Sequence, residues 1–270
     1  MGETRARHAS LIYSRRATGA LGQVADSKGD AMPLTLTNIP RIMRAQGWNN
    51  GARLMDVWFA NAAAVAPSYA LPDTATIKMD SWVLTFPRAR LVYDQIMTER
   101  IWSNPAARAE LKTLLSRNGM LTPGTQSFGS FSSPVPTQHA DNINFRPIDM
   151  NLTALDDMDA ALGRFTFRVL VSGTVTTTRA APGTPSRHAV SIAEIGVYVR
   201  DSFDFNGDQH LGFWNDTTNE VSSINPFTGD RVTNESFRAW RTSSGRGGDF
   251  IVYSDLKRTP LSTPDTFLLP

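Results

Sequence analysis

Apolar and polar residues alternate most clearly over Phe165–Val175, where phenylalanine and valine are separated by threonine, arginine and serine. Strict alternation is typical of a β-strand with one buried face. Residues 190–199, rich in valine and isoleucine, return as the partner strand after a Pro- and Gly-containing loop at Ala180–Arg187. The two segments therefore predict a pair of antiparallel strands.

The first half of the chain has the longer period of an α-helix. A helix is predicted from Asn38 and Pro40 to Gly47, because asparagine is a good N-cap, proline fits the first turn and glycine ends helices. The next helix, from Asn49 or Asn50, carries so many large apolar side chains that we expect it to be buried. The other elements predicted in this half are a connection at 60–76, a strand at Ile77–Phe86, a helix at Ala89–Trp102 and a helix from Asn104-Pro105 to Gly119.

Together these elements predict an α+β fold, a mostly helical N-terminal half followed by a twisted antiparallel β-meander of five or six strands. A partly closed barrel is one form that such a meander takes. Within the β region, a short helix at Thr153–Leu162 and strands at Phe237–Arg241 and Phe250–Tyr253 are also predicted. The predicted divisions are a mobile basic arm at 1–31, a mostly helical region at 32–119, an irregular Pro/Ser-rich connection at 120–150 and an antiparallel β region at 151–270.

The densest stretch of strand-forming, aromatic and ionisable residues is Val197–Trp214. Asn206-Gly207 at its centre favours a two-residue type I′ hairpin, since both central residues of that turn need a positive φ. In the predicted register Phe203 faces His210, and Asp201 lies on the same face as His210, one diagonal step away.

This register predicts an acid–base pair of His210 and Asp201, because an imidazole titrates near neutral pH and a carboxylate partner sets its protonation. A histidine held by a carboxylate for structural reasons is the alternative. Ionisable side chains on neighbouring elements complete the candidate catalytic set, namely Asp204, Arg241 and Asp249. Charge that discourages pairing at a sheet edge explains these three equally simply.

The composition of the chain excludes several kinds of site and partner. The formal net charge is +2, so general binding of nucleic acid is not expected. There is no cysteine, which excludes disulfides, thiolate metal sites and a cysteine nucleophile. No phosphate-loop, Gly-x-Ser-x-Gly or His-Glu-x-x-His motif occurs, and we expect no cofactor and no metal. His139 and Asp141 are considered as a metal site, but solvated loop side chains explain them better.

Several short blocks carry a resemblance to a known family. They are Asn38-Ile39-Pro40, Gly47-Trp48, Ala52-Arg53-Leu54-Met55, Met79-Asp80-Ser81-Trp82, Gly196–Phe205, Leu211-Gly212-Phe213-Trp214 and Gly248-Asp249-Phe250. On these blocks the chain resembles, over about 34–255, a proteobacterial domain family of unknown function that is often encoded beside type VI secretion spike genes.

The resemblance implies an antibacterial effector, a toxin delivered by type VI secretion, with a hydrolase of nucleic acid, lipid or cell wall as one form. The alternative is a non-catalytic adaptor that binds a secretion partner through a sheet edge. In either case we expect a protein partner, either a spike component or an immunity protein. We also expect synthesis in the bacterial cytoplasm without a Sec signal, export by the type VI route and no transmembrane segment. No catalytic residue is carried over from the family.

Overall fold

Strands from both halves of the chain meet in one curled sheet that forms a half-barrel. The computed structural model describes residues 34–151, 154–179 and 184–270. The predicted arm at 1–31 lies outside these residues. The described residues have the predicted α+β fold class and belong to one compact unit.

The helices of the described residues are α1 (Ile39–Ala45), α2 (Asn49–Ala60), α3 (Pro87–Thr98), α4 (Pro105–Arg117), α5 (Val135–Gln138), α6 (Asp157–Leu162) and α7 (Asn234–Ser244). The strands are β1 (Ala64–Asp73), β2 (Gly124–Phe128), β3 (Asn144–Ile148), β4 (Phe165–Thr178), β5 (Arg187–Phe203), β6 (His210–Trp214), β7 (Val221–Ser222), β8 (Asp230–Thr233), β9 (Gly248–Tyr253) and β10 (Lys257–Leu268).

The main sheet has the order β1-β9-β5-β4-β2, with β10 paired to β5 and β3 paired to β4. The β1–β9 pair is parallel and the other pairs are antiparallel, so the sheet is mixed. A separate three-stranded antiparallel sheet has the order β7-β6-β8. Among the described residues, the strand pairs β3–β4, β4–β5 and β6–β7 are consecutive in sequence. The predicted antiparallel β region is therefore present, but most of its strand connections differ from those of a simple meander.

Strand β5 lies at the centre of the main sheet. It pairs with β4 from Arg187 to Arg200 on one edge, and with β10 and then β9 on the other. The predicted antiparallel pairing of these two segments is confirmed, with Val169 opposite Val197. Because side chains alternate, β5 contributes to a layer on each face of the sheet.

The larger layer packs helices α1 to α4 and α6 against one face, around fully buried side chains such as Trp58, Leu111 and Phe167. The opposite face, called the outer face below, carries a small cluster of Phe131, Val135, Leu170, Tyr198, Ile251 and Tyr253. Phe131 and Val135 come from the segment between β2 and β3. That segment therefore covers part of the outer face.

Three predictions about local structure in the first half are wrong. Residues 60–76 contain strand β1, which includes Pro67 and Pro72 and lies at the edge of the sheet, where proline is tolerated. Residues 77–86 form turns and a short 3₁₀ helix at Val83–Thr85, although Ile77 and Met79 are fully buried. Residues 120–150 are not an irregular connection, because β2 and β3 pair with the two ends of β4.

The predicted hairpin is also wrong. Strands β5 and β6 belong to different sheets, and Phe203 pairs with Phe250 of β9 instead of with His210. Asn206 lacks the positive φ that a type I′ turn needs, although Gly207 has φ +73°. Strand β9 therefore occupies the edge of β5 that the hairpin partner would need.

The predicted strand at Phe237–Arg241 is part of helix α7. Thr233 and Ser236 form a reciprocal capping box at its N-terminus, and Gly245 ends it in the left-handed conformation. Its buried residues, Phe237 and Arg241, are four positions apart and share one face. The helical period was present in the sequence, but it was obscured by the high strand propensity of the aromatic residues.

Helices α2 and α6 pack closely because α2 has a glycine at the contact. A Cβ atom added to Gly51 would lie 2.7 Å from Ala160 Cβ and 3.0 Å from the Ala160 carbonyl carbon. Asp157 at the start of α6 also accepts hydrogen bonds from the backbone N–H groups of Asn50 and Gly51, at 3.2 and 2.9 Å. The glycine thus fixes how near the two helices lie.

Gly51→Ala tests this contact by the sign of its effect. At an unhindered helical site, alanine raises the free energy of unfolding by about 0.5–1 kcal/mol. Here we expect it to lower that energy by about 1–3 kcal/mol, because the added methyl group overpacks against Ala160. Urea denaturation measures the change. The double variant Gly51→Ala/Ala160→Gly should recover part of the loss, and a stabilised single variant would contradict the close approach.

Candidate functional site

Four of the five predicted site residues lie near the end of β5, and two of them, Arg241 and Asp249, contact the indole of Trp58. The fully buried Asp249 accepts a hydrogen bond from Trp58 Nε1 at 3.0 Å and forms an ion pair with Arg241. Arg241 also donates from Nε to the Gly247 carbonyl at 2.6 Å, and its guanidinium lies over the Trp58 ring. These contacts join α2, α7 and β9 at a single point.

Burial has the largest effect on the pKa of the Asp249 carboxyl group. It raises the pKa of Asp249, and the Trp58 N–H and the Arg241 charge oppose that rise only in part. The second carboxylate oxygen, Oδ2, is buried and has no hydrogen-bond partner among the described residues. The rings of Phe59, Phe205, Phe237 and Trp240 enclose Trp58 on the remaining sides. Asp249 and Arg241 are thus enclosed, and their geometry is that of an ion pair holding elements together.

Asp204 lies close to this ion pair, and Asp201 lies close to Asp204. Burial, with a smaller contribution from the nearby charge of Asp204, raises the pKa of the Asp201 carboxyl to about 8. The charge of Asp204 also raises the pKa of Asp249. At neutral pH the half-buried Asp201 side chain is therefore a protonated, neutral group that can donate a hydrogen bond.

His210 lies apart from these carboxyl groups. It is exposed on β6 of the small sheet, where its Nε2 is 3.2 Å from the Ser223 carbonyl oxygen and its ring contacts Phe213. In the part of the chain that the structure describes, no hydrogen bond or ion pair joins His210 to Asp201. The predicted pairing of these two residues is wrong, because it depended on the hairpin register.

A second cluster of ionisable residues lies on the outer face of the main sheet, and the sequence did not predict it. His139 follows α5 in the covering segment, and its Nδ1 lies 2.7 Å from the Tyr198 hydroxyl. The His139 ring also meets Tyr253 at 5.7 Å between centroids, edge to face. Tyr198 and Tyr253 are buried, whereas His139 is half-buried. The two phenols hold the imidazole at the edge of the buried cluster.

Two arginines complete this outer cluster. Arg168 on β4 pairs directly with Tyr198, and Arg200 pairs with Tyr253. Arg168 and Arg200 are therefore diagonal neighbours on the same face of adjacent strands. The Arg168 guanidinium lies over the Phe145 ring at 5.3 Å.

The electrostatics of the outer cluster follow from burial and from these two charges. Burial, followed by the charges of Arg200 and Arg168, lowers the pKa of His139 to about 4. Burial also raises the pKa of Tyr198 and lowers that of Arg168. At neutral pH the cluster therefore has a neutral His139 imidazole and a neutral Tyr198 phenol beside the two arginine side chains.

A cavity of about 240 Å³ lies under the same covering segment. Gln138 and Asp141, close to His139 along the chain, line it together with Leu170 and Phe131 of the outer face. His139 and the two arginines of the outer cluster do not themselves line this cavity, and the five residues predicted as catalytic line neither it nor the wider one beside Trp102 and Asp265. A concave surface thus adjoins the outer cluster.

The sequence missed the outer cluster because its members come from four separate segments. The signal was present in Arg168, Tyr198 and Arg200, which are large polar residues in the middle of alternating strands. Such positions usually face water on an antiparallel sheet. The fold instead covers them with the segment that contains His139.

Within the described residues, no group of three or more histidine, aspartate or glutamate side chains is placed to hold a metal ion. In the same part of the chain, no helix has the length and apolarity needed to cross a membrane.

The architecture defines an α+β protein with a curled mixed sheet, helices on one face and a covered polar cluster on the other. Residues 34–228 and 228–269 match the model of a family of unknown function, DUF6402. Since these residues make up most of the chain, the protein belongs to this family. Comparison with the curated proteins gives no match, and neither does comparison with the solved structures.

The raised pKa of Asp201 predicts how stability changes with pH. The folded protein keeps this proton up to about pH 8, whereas an unfolded chain releases it near the ordinary value of 3.8. The folded state thus binds more protons between these values, and the Asp201 contribution to stability falls as pH rises through that range.

Asp201→Asn replaces the neutral acid by a neutral amide that does not titrate. We expect the variant to gain stability relative to the wild type as pH rises from about 4 to about 8, because only the wild type must retain a proton. Thermal denaturation of both proteins across this range measures the difference. The comparison also cancels the opposite trend of His139, whose lowered pKa makes stability rise with pH over its own range. A constant difference between the two proteins would contradict the prediction.

Proposed function

We propose that the protein is an antibacterial effector of a type VI secretion system and that it acts as a hydrolase through its outer cluster. One observation supports the hydrolase part: His139, a neutral imidazole fixed by Tyr198 at 2.7 Å, lies beside two arginines at the protein surface. The resemblance to proteins encoded beside spike genes supports the secretion part. The target, whether nucleic acid, lipid or cell wall, is left to the assay.

The chemistry of the site follows from the tautomer of His139. With its proton on Nδ1, the imidazole donates to the Tyr198 hydroxyl oxygen and keeps a lone pair on Nε2. No hydrogen bond occupies Nε2 within the described residues. Nε2 can therefore take a proton from water as that water attacks a substrate. The bond to the leaving group then breaks, and the imidazolium returns the proton to that group. Arg168 and Arg200 stabilise the negative charge that develops during the attack.

Expression in a susceptible bacterium, in the cytoplasm and separately in the periplasm, tests the proposal. The wild type should stop growth in one compartment, and the adjacent gene should relieve it if that gene encodes an immunity protein. His139→Ala should abolish toxicity, because it removes the base. His210→Ala is the matched control, since that histidine is exposed and lies on the other sheet.

The two histidine variants separate this proposal from the one made on sequence alone, in which His210 and Asp201 with Asp204, Arg241 and Asp249 carry the reaction. Loss of toxicity in His210→Ala alone would place the catalytic site at His210 on β6. Toxicity unchanged in folded His139→Ala protein, with circular dichroism as the check, would remove His139 from the mechanism.

A non-catalytic adaptor is the second candidate, and one surface feature favours it. In the turn between β7 and β8, Ile224 and Phe227 expose 80% and 90% of their surface. Large apolar side chains that project from a turn are suited to insertion into a partner.

The adaptor proposal predicts that Phe227→Ser abolishes co-purification with the spike component encoded nearby, because the aromatic anchor is lost. His139→Ala should leave that interaction unchanged. The effector proposal predicts the reverse pattern in the toxicity assay. Retained binding by Phe227→Ser protein would remove the adaptor surface from consideration.

A further inference from the structure

Arg168 lacks the carboxylate partner that many other arginines of the described part of the chain have. Within that part, it forms no ion pair, and its buried Nε has no hydrogen-bond partner. Other described arginines are paired with carboxylates, including Arg88, Arg100, Arg146, Arg241 and Arg258. A half-buried guanidinium without a carboxylate is costly unless an anion from outside completes its hydrogen bonds.

The position of the guanidinium is already fixed. Phe145, opposite Arg168 on β3, supports it from one side at 5.3 Å. Burial and the nearby Arg200 charge both lower the pKa of Arg168, so the two cations lie close enough to repel each other. An anion between them relieves that repulsion and binds both.

The neighbouring groups favour a tetrahedral oxyanion. The buried hydroxyl groups of Tyr198 and Tyr253 belong to the same cluster, and His139 presents an imidazole nitrogen at its edge. The charge of Asp141 raises the pKa of Tyr198, and Asp141 forms an ion pair with Arg117 at 3.3 Å. The two guanidinium groups and the phenol hydroxyls beside them are hydrogen-bond donors that match the several acceptor oxygens of a phosphate group.

We infer that the outer cluster is a binding site for a phosphate group, held by Arg168 and Arg200 beside His139. This inference deepens the proposed function and rests on it for the role of His139, since it names a phosphate ester as the substrate class. The ester is either a glycerol phosphate, as in a lipid headgroup, or a nucleotide. Duplex nucleic acid is still expected to bind weakly, because the net charge is only +2.

Isothermal titration with inorganic phosphate tests the site without any assay of activity. We expect saturable binding to the wild type and a loss of about tenfold or more in affinity for Arg168→Gln, because one charged donor fork is removed. Arg258→Gln is the matched control. It removes the same charge from the neighbouring strand β10, but that guanidinium already makes two hydrogen bonds to Glu194, at 2.9 and 2.8 Å.

Arg168→Lys guards against a variant that fails to fold, since it keeps the charge and most of the apolar stem. It should bind phosphate with an affinity between those of the wild type and Arg168→Gln. The inference is overturned if the wild type shows no saturable binding, if folded Arg168→Gln binds as well as the wild type, or if Arg258→Gln loses as much affinity.

A titration of His139 by NMR provides a second readout. The charged and titratable groups around it are Arg168, Arg200, Tyr198, Tyr253 and Asp141. Bound phosphate offsets the two arginine charges, so the pKa of His139 should rise from about 4 when phosphate is added. An unchanged midpoint at saturating phosphate would place the anion elsewhere and overturn the assignment.

Further titrations distinguish the two sources of the phosphate and separate this inference from the proposed function. Tighter binding of glycerol 3-phosphate than of adenosine 5′-monophosphate indicates a lipid headgroup, and the reverse order indicates a nucleotide. Phosphate binding combined with unchanged toxicity of His139→Ala supports the site but overturns the hydrolase proposal. Loss of toxicity in His139→Ala without phosphate binding keeps the hydrolase and overturns the substrate class.

Discussion

The hydrogen bonding of strand β5 on both edges is the constraint on which the rest of the structure depends. One edge pairs with β4 and the other is shared between β10 and β9. These pairings place Val197 and Val199 under the helices and leave Tyr198 and Arg200 on the outer face. The same strand thus contributes to the hydrophobic core and carries Tyr198 and Arg200 of the outer cluster. Its register is strongly specified, because a slip by one residue would exchange the two sets.

Local sequence was enough to predict the elements that local physics determines. The alternation of β4 and the valine- and isoleucine-rich segment of β5 predicted their pairing, and the cap at Asn104 and the glycine at Gly119 bounded α4 closely. Local sequence was not enough to decide whether the hairpin predicted at Asn206-Gly207 forms. The hairpin does not form because β9, which lies about fifty residues further along the chain, pairs with β5 at Phe203 instead. Nothing within Val197–Trp214 indicates that competitor.

The candidate functional residues were likewise predictable from the sequence only in part. Asp201 lies near Asp204, and Asp204 lies near the Arg241–Asp249 pair, because the strand ends and helix α7 meet beside Trp58. Their catalytic role remains a prediction, and the burial of the Arg241–Asp249 pair favours a role in stability. The outer cluster could not be predicted, because its formation depends on which segment of the chain covers the sheet. A loop that contains β2, α5 and β3 looked unstructured in sequence, since each of these elements is stabilised mainly by its contact with β4 or the outer face.

The pairing of β10 with β5 also matters during synthesis on the ribosome. The edge of β5 that lies opposite β4 at residues 189–197 stays open until Lys257–Leu268 has been translated. An open, apolar strand edge readily pairs with other chains. Contacts between residues this far apart in sequence also form slowly. The nascent chain therefore passes through a stage at which its central strand is half-paired, and we expect a holding chaperone to raise its soluble yield more than a change of the surface side chains does.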